Sequence, residues 1–153
     1  MARIIAYQST TPATDDLLLG TQKTTSGTNK TNPTKNFTVD SVVQAGLGYT
    51  VYTALMTQTG TGAPVATILK NNTTATYTWS RTGVGAYEVQ TDINIFDTSD
   101  TVVFGNIGEN VKPDYFRWRV ANVNLIEVTT YDENAALTDG IFQNGSFEIR
   151  IYS

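Results

Sequence analysis

The sequence contains no cysteine and no histidine, and it has only 4 prolines and 16% charged residues. Without cysteine there are no disulfide frameworks, thiolate zinc sites, iron–sulfur clusters or cysteine nucleophiles. Without histidine there is no Ser-His-Asp triad, no histidine general base and no imidazole metal site. Positive charge is scarce too. Lys and Arg number 10 against 14 Asp and Glu, a net charge of -4. That balance speaks against a nucleic-acid partner, which needs clustered Lys and Arg. No apolar run approaches the roughly 18 residues a membrane helix needs, so no membrane insertion is expected. The opening Met1–Tyr7 is too short and too soon polar for a secretory signal.

Threonine fills the space these residues leave, with 27 in a chain of 153. Thr, Val, Ile, Tyr and Phe together favour strands, and the 12 glycines fall at intervals as turn punctuation. Strands are expected over 2–7, 37–39, 49–58, 65–69, 76–81, 86–96, 101–104, 115–120, 125–131 and 146–152. In 86–96 the residues Tyr87, Val89, Thr91, Ile93 and Ile95 alternate with polar ones, which predicts a half-buried strand along the whole run. One short helix is expected near 40–45, with Asp40 as its cap and Gly46 as its stop. Turn signals recur every 8 to 12 residues, roughly the cadence of an all-β sandwich or barrel. The expected fold is an antiparallel β-sandwich, with a jelly roll as one form it can take.

The length suits one compact domain with a sizeable core. Its organisation breaks near residue 47. Thr21–Lys35 is polar and nearly devoid of apolar side chains, so it cannot repay its own ordering and reads as an extended arm. Residues 1–46 are therefore read as a docking segment and 47–153 as a β-rich knob.

Few residues suggest chemistry. Asp15, Asp16, Asp92, Asp97, Asp100, Asp132, Glu133 and Asp139 sit beside turn residues and read as solubilising loop acids. A glycan hydrolase needs two carboxylates about 5 to 9.5 Å apart, and nothing singles out a pair. Asp92–Asp97 resembles a calcium loop until its fifth and sixth positions, Phe96 and Asp97, break the pattern. Gly60-Thr61-Gly62 lacks the Lys-Ser/Thr and helix of a phosphate loop. The Asn-x-Ser/Thr sites at Asn29, Asn36, Asn71, Asn72 and Asn144 follow from composition. Arg81, Arg117, Arg119 and Arg150 are candidates for ion pairs. The aromatics Trp79, Tyr115 and Trp118 are candidates for a sugar-binding platform, weighed against the commoner use of strand aromatics as core. No catalytic residue, cofactor or metal ligand is expected.

Three stretches carry a resemblance. They are Asp16–Thr21 with Thr34–Asp40, then Tyr52–Leu69, then Asp139–Tyr152. Together they resemble small virion structural proteins of tailed phages and prophages of Bacteroidetes, crAss-like phages included. The resemblance implies a non-enzymatic virion component, assembled in the bacterial host cytoplasm, of decoration, head-fibre or tail-knob type. It implies other capsid or tail proteins as partners, with self-association as a homotrimer as the first expectation. A carbohydrate- or receptor-binding module, an adhesin with a host glycan as partner, is the alternative.

Overall fold

The computed structural model describes residues 13–21, 34–108 and 113–152. The chain divides into two compact units, 1–48 and 49–153. The expected strand at 2–7 lies outside the described residues.

The first unit is a hairpin followed by a helix. β1 (Leu17–Thr21) pairs antiparallel with β2 (Thr34–Thr38), Leu18 facing Phe37 and Gly20 facing Lys35. Both ends of the expected arm are therefore strand, which corrects the extended-arm reading there; the stretch between them lies outside the described residues. No strand is expected over Leu17–Gly20, because its polar partner strand gives no pattern to match. Phe37 covers Gly20, where an added Cβ would come within 3.0 Å of the ring. The helix α1 (Val39–Leu47) starts one residue earlier than expected and runs two residues further. Its cap is Thr38, not Asp40: the Thr38 backbone is extended and its Oγ1 accepts from Ser41 N–H at 3.1 Å. Asp40 instead occupies the first turn, where its charge suits the positive helix end. The helix stops at Gly48, whose φ of 67° is left-handed, rather than at Gly46.

The second unit is the sandwich. β3 (Tyr49–Thr57), β4 (Val65–Asn71), β7 (Thr101–Gly105) and β10 (Gln143–Tyr152) form one sheet in the order β4-β3-β10-β7. β5 (Tyr77–Gly83), β6 (Ala86–Thr91), β8 (Tyr115–Asn122) and β9 (Leu125–Tyr131) form the other, in the order β5-β6-β9-β8. Every pairing is antiparallel. The hairpins β3–β4, β5–β6 and β8–β9 stay within a sheet. The sandwich is thus shown, and a jelly-roll wrapping is not.

Alternation builds the core. Tyr52, Ala54, Met56, Phe147 and Ile149 point inward from the first sheet; Tyr87, Val89, Ile126 and Val128 point inward from the second. Aromatic rings bridge the sheets. Tyr52 stacks on Tyr77 at 3.9 Å, and Trp79 meets Phe147 edge-on at 4.9 Å. Burial pushes the Tyr77 hydroxyl up to about 12.

β6 ends at Thr91, five residues short of expectation. Thr91 Oγ1 turns back to the Ile93 carbonyl, and Asp92 Oδ1 accepts from Thr76 N–H at 2.8 Å. The chain leaves the sheet there, Ile95 and Phe96 both donate to the Val123 carbonyl, and Ile93 becomes 43% exposed. Past the strand the odd-numbered pattern runs on through Ile93 and Ile95, but only Ile95 packs against the core, and the deepest insertion, Phe96, falls out of phase with it.

Candidate functional site

Three surfaces and clusters bear on function, and each follows from strand or helix geometry.

The first is the apolar surface of the N-terminal unit. Leu17, Leu18 and Leu19 on β1 are 62%, 46% and 77% exposed. On α1, Val42 and Val43 are about half exposed, Leu47 is also exposed, and no residue of the helix is buried. Backbone geometry here is nevertheless well fastened. Ala13 N–H donates to Asp16 Oδ2 at 2.8 Å, Val39 N–H to the Asp16 carbonyl and Asp40 N–H to the Thr14 carbonyl. Asp16 is thus a turn-forming acid.

The second is a polar cluster at one end of the sandwich, centred on Asp139. Its carboxylate receives Arg81 Nε at 3.0 Å and Arg81 Nη2 at 2.7 Å. It also accepts from Gly85 N–H at 3.0 Å and faces the Tyr87 hydroxyl at 2.9 Å. The same hydroxyl reaches Gln58 Oε1 at 2.8 Å, and Gln58 Oε1 also accepts from Gly140 N–H. The single Tyr87 proton is therefore shared between two acceptors. Arg81 and its hydrogen bonds hold the Asp139 carboxyl well below the usual carboxylate range, and burial pushes the Tyr87 hydroxyl up. Asp139 was expected to be a solubilising loop acid; its side chain is only 12% exposed and acts as a strut joining the 132–142 loop to β5 and β6. Among the described residues no second carboxylate shares these contacts.

Asp97 and Asp132 act locally. Asp97 caps Ser99, whose hydroxyl and N–H hold its carboxyl low. Asp132 closes its own loop on the N–H groups of Asn134 and Ala136. Among the described residues no group of three or more His, Cys, Asp or Glu could hold a metal ion.

The third is the outer face of the β5-β6-β9-β8 sheet. On β8 the residues Phe116, Trp118 and Val120 pack on the core, so Tyr115, Arg117 and Arg119 face outward. Register sets Tyr115 opposite Tyr131, Arg117 opposite Thr129 and Arg119 opposite Glu127. The Tyr115 and Tyr131 rings stack 5.1 Å apart with a 15° interplanar angle. Arg117 Cζ lies 5.7 Å and 5.3 Å from their centroids. Arg119 Nε bonds Glu127 Oε2 at 2.6 Å. Between these groups lies an open depression of about 330 Å³, lined by Arg117, Trp118, Arg119, Glu127, Thr129 and Tyr131.

The structure does not assemble Trp79, Tyr115 and Trp118 into one platform. Trp79 is half-buried and packs on Phe147 and Phe142, and Trp118 packs on the core cluster. Trp79 Nε1 is buried close to the equally buried Tyr52 hydroxyl; no hydrogen bond is fully formed, although the indole lowers the pKa that burial raises. Tyr115 alone of the three stands on the outer face. Its partners there, Tyr131 and Arg117, were not singled out together, because the pairing depends on β8–β9 register rather than on sequence spacing.

No protein-family model, no curated protein and no solved structure matches this chain.

Proposed function

We propose that this chain is a non-enzymatic structural protein of a tailed-phage virion, of decoration, head-fibre or tail-associated type. Its N-terminal unit docks on other capsid or tail proteins, and its β-sandwich is displayed. The observation that carries this reading is the exposed apolar set Leu17, Leu18, Leu19, Val42, Val43 and Leu47 on β1 and α1, whose backbones are tied together through Asp16–Val39 and Thr14–Asp40 hydrogen bonds. Covering a half-exposed Leu or Val stabilises by about 1 kcal/mol, so six of them supply the driving force of a specific contact. The sequence resemblance to virion proteins supplies the partner class, and self-association as a homotrimer fits the cyclic symmetry such parts adopt.

The test is incorporation. Particles assembled with the chain lacking residues 1–35, or carrying Leu17→Ser and Leu19→Ser together, should lose the protein from purified virions while the sandwich still folds by circular dichroism. Undiminished incorporation of both variants would overturn the docking role.

A second reading, a carbohydrate- or receptor-binding module, draws on the outer-face aromatic pair Tyr115–Tyr131 with its adjoining guanidinium. The two readings are compatible if the displayed sandwich contacts the host.

A further inference from the structure

We propose that the outer face of β8 and β9 is a binding site for a carboxylate-bearing sugar, with Arg117 as the carboxylate receptor and the Tyr115–Tyr131 pair as its support. The inference rests on the carbohydrate-binding reading and specifies its site and ligand class.

Arg117 is set apart by its pairing. Among the described residues the four arginines are Arg81, Arg117, Arg119 and Arg150. Arg81, Arg119 and Arg150 each hold a carboxylate: Asp139, Glu127 and Glu148. Arg117 has no described carboxylate within ion-pair distance and lies instead against two tyrosine rings. Aromatic faces restrict a guanidinium without using its N–H groups, because the attraction is to the π-cloud. The donor edge of Arg117 is thus positioned but uncommitted, and its fork geometry matches a carboxylate.

The rest of the depression suits a sugar ring. Thr129, opposite Arg117, offers a hydroxyl, and Tyr131 offers an apolar ring edge beside it. At the far end Glu127, held by Arg119, presents acceptor oxygens for sugar hydroxyls, and Glu88 faces Glu127 across the β6–β9 ladder. A volume of about 330 Å³ is at the small end of ligand sites and fits one or two sugar rings. The same two glutamates, with a net charge of -4 on the chain, repel a dense polyanion such as nucleic acid. One carboxylate set among hydroxyls is the charge pattern that one guanidinium flanked by acceptors recognises.

The experiment is a titration of the full chain, followed by backbone amide NMR, with 3′-sialyllactose, monomeric galacturonate, neutral maltotetraose and inorganic phosphate as probes. The expected result is saturable shifts confined to 115–119 and 127–131 with an acidic probe, and weaker or absent shifts with maltotetraose. Arg117→Gln, at an exposed position that leaves the core untouched, should weaken the acidic probe at least about tenfold, the loss of one bidentate charge-assisted contact. Tyr115→Ala, its fold checked by the same spectra, should weaken it as well. If maltotetraose binds as tightly and Arg117→Gln changes nothing, the acidic-sugar site is wrong while the carbohydrate-binding reading stands. If no saccharide shifts any resonance at millimolar concentration, both fall. Shifts with inorganic phosphate equal to those with the acidic sugars would also overturn the sugar assignment, leaving a simple anion site.

Discussion

Replacing Asp139 should be among the most damaging single changes to the sandwich. Asp139→Ala removes two hydrogen bonds from Arg81, one from Gly85 N–H and one alternative acceptor for the Tyr87 hydroxyl. It also strands a guanidinium that is 23% exposed. Hydrogen bonds to a charged group contribute about 1.5 to 3 kcal/mol each, and removing one partner of a buried pair costs about 3 to 5 kcal/mol. Residual exposure of both partners screens the pair, so the lower end applies, about 3 kcal/mol. For a unit of this size that lowers Tm by roughly 10 °C. Asp139→Asn keeps an acceptor for Gly85 and loses the charge, and should cost less, about 2 kcal/mol. The pH dependence has a fixed sign. The folded-state carboxyl titrates below its unfolded value, so its stabilisation is fully present above about pH 4 and is lost as pH falls below that. Urea denaturation of wild type, Asp139→Ala and Asp139→Asn at pH 7 and pH 3 measures all of this. The gap between wild type and Asp139→Asn should narrow at pH 3. A loss under about 1 kcal/mol for Asp139→Ala at pH 7, or a gap that widens in acid, would refute the strut.

Gly85 has φ of 59°, and a Cβ there would sit 2.6 Å from Thr138 N and 2.7 Å from the Thr130 carbonyl. Gly85→Ala should therefore cost about 3 kcal/mol in a chemical melt, from left-handed strain plus overpacking, whereas Gly60→Ala, also left-handed but in open space, should cost only about 1 kcal/mol. Gly46 lies inside α1 with nothing near its would-be Cβ, so Gly46→Ala should stabilise the helix by about 0.5 to 1 kcal/mol, read as a higher melting point for helical circular dichroism. Arg119 and Glu127 form a well-made but exposed pair, with side chains 72% and 34% exposed, so Glu127→Gln should shift stability by no more than about 0.5 kcal/mol, and less in high salt.

Strand placement was legible wherever β-branched and aromatic residues alternate between turns, as in β3, β8, β9 and β10, because that pattern is the physical cause of a half-buried strand. It misleads in 86–96, where the loop residues Ile93 and Ile95 keep the strand period after the chain has left the sheet at Thr91. The cap of α1 was misplaced because Asp40 and Thr38 are both competent caps, and only backbone geometry separates them. Asp139 was misjudged because its partners Arg81, Gly85 and Tyr87 lie more than 50 positions away in sequence. Tyr115 and Arg117 are both candidates from sequence, but their grouping around Tyr131 comes only from the β8–β9 register. The indoles Trp79 and Trp118, candidates for a sugar platform weighed against core use, follow inward alternation and pack against the core.

β10 lies between β3 and β7, and its residue Tyr152 pairs with Tyr49, about 100 positions earlier. This places the sandwich among folds of high contact order, which assemble slowly. During synthesis β3 emerges long before its partner, and with it the inward row Tyr52, Ala54 and Met56. Until β10 arrives the nascent first sheet can hold only the local β3–β4 hairpin, with β7 unattached. The hairpin at β1–β2, whose partners are close in sequence, faces no such delay. Newly made chains therefore pass through a stage in which the β1–β2 hairpin and α1 can form and the sandwich cannot, and a stalled or truncated product would expose apolar strand edges to chaperones and to other nascent copies.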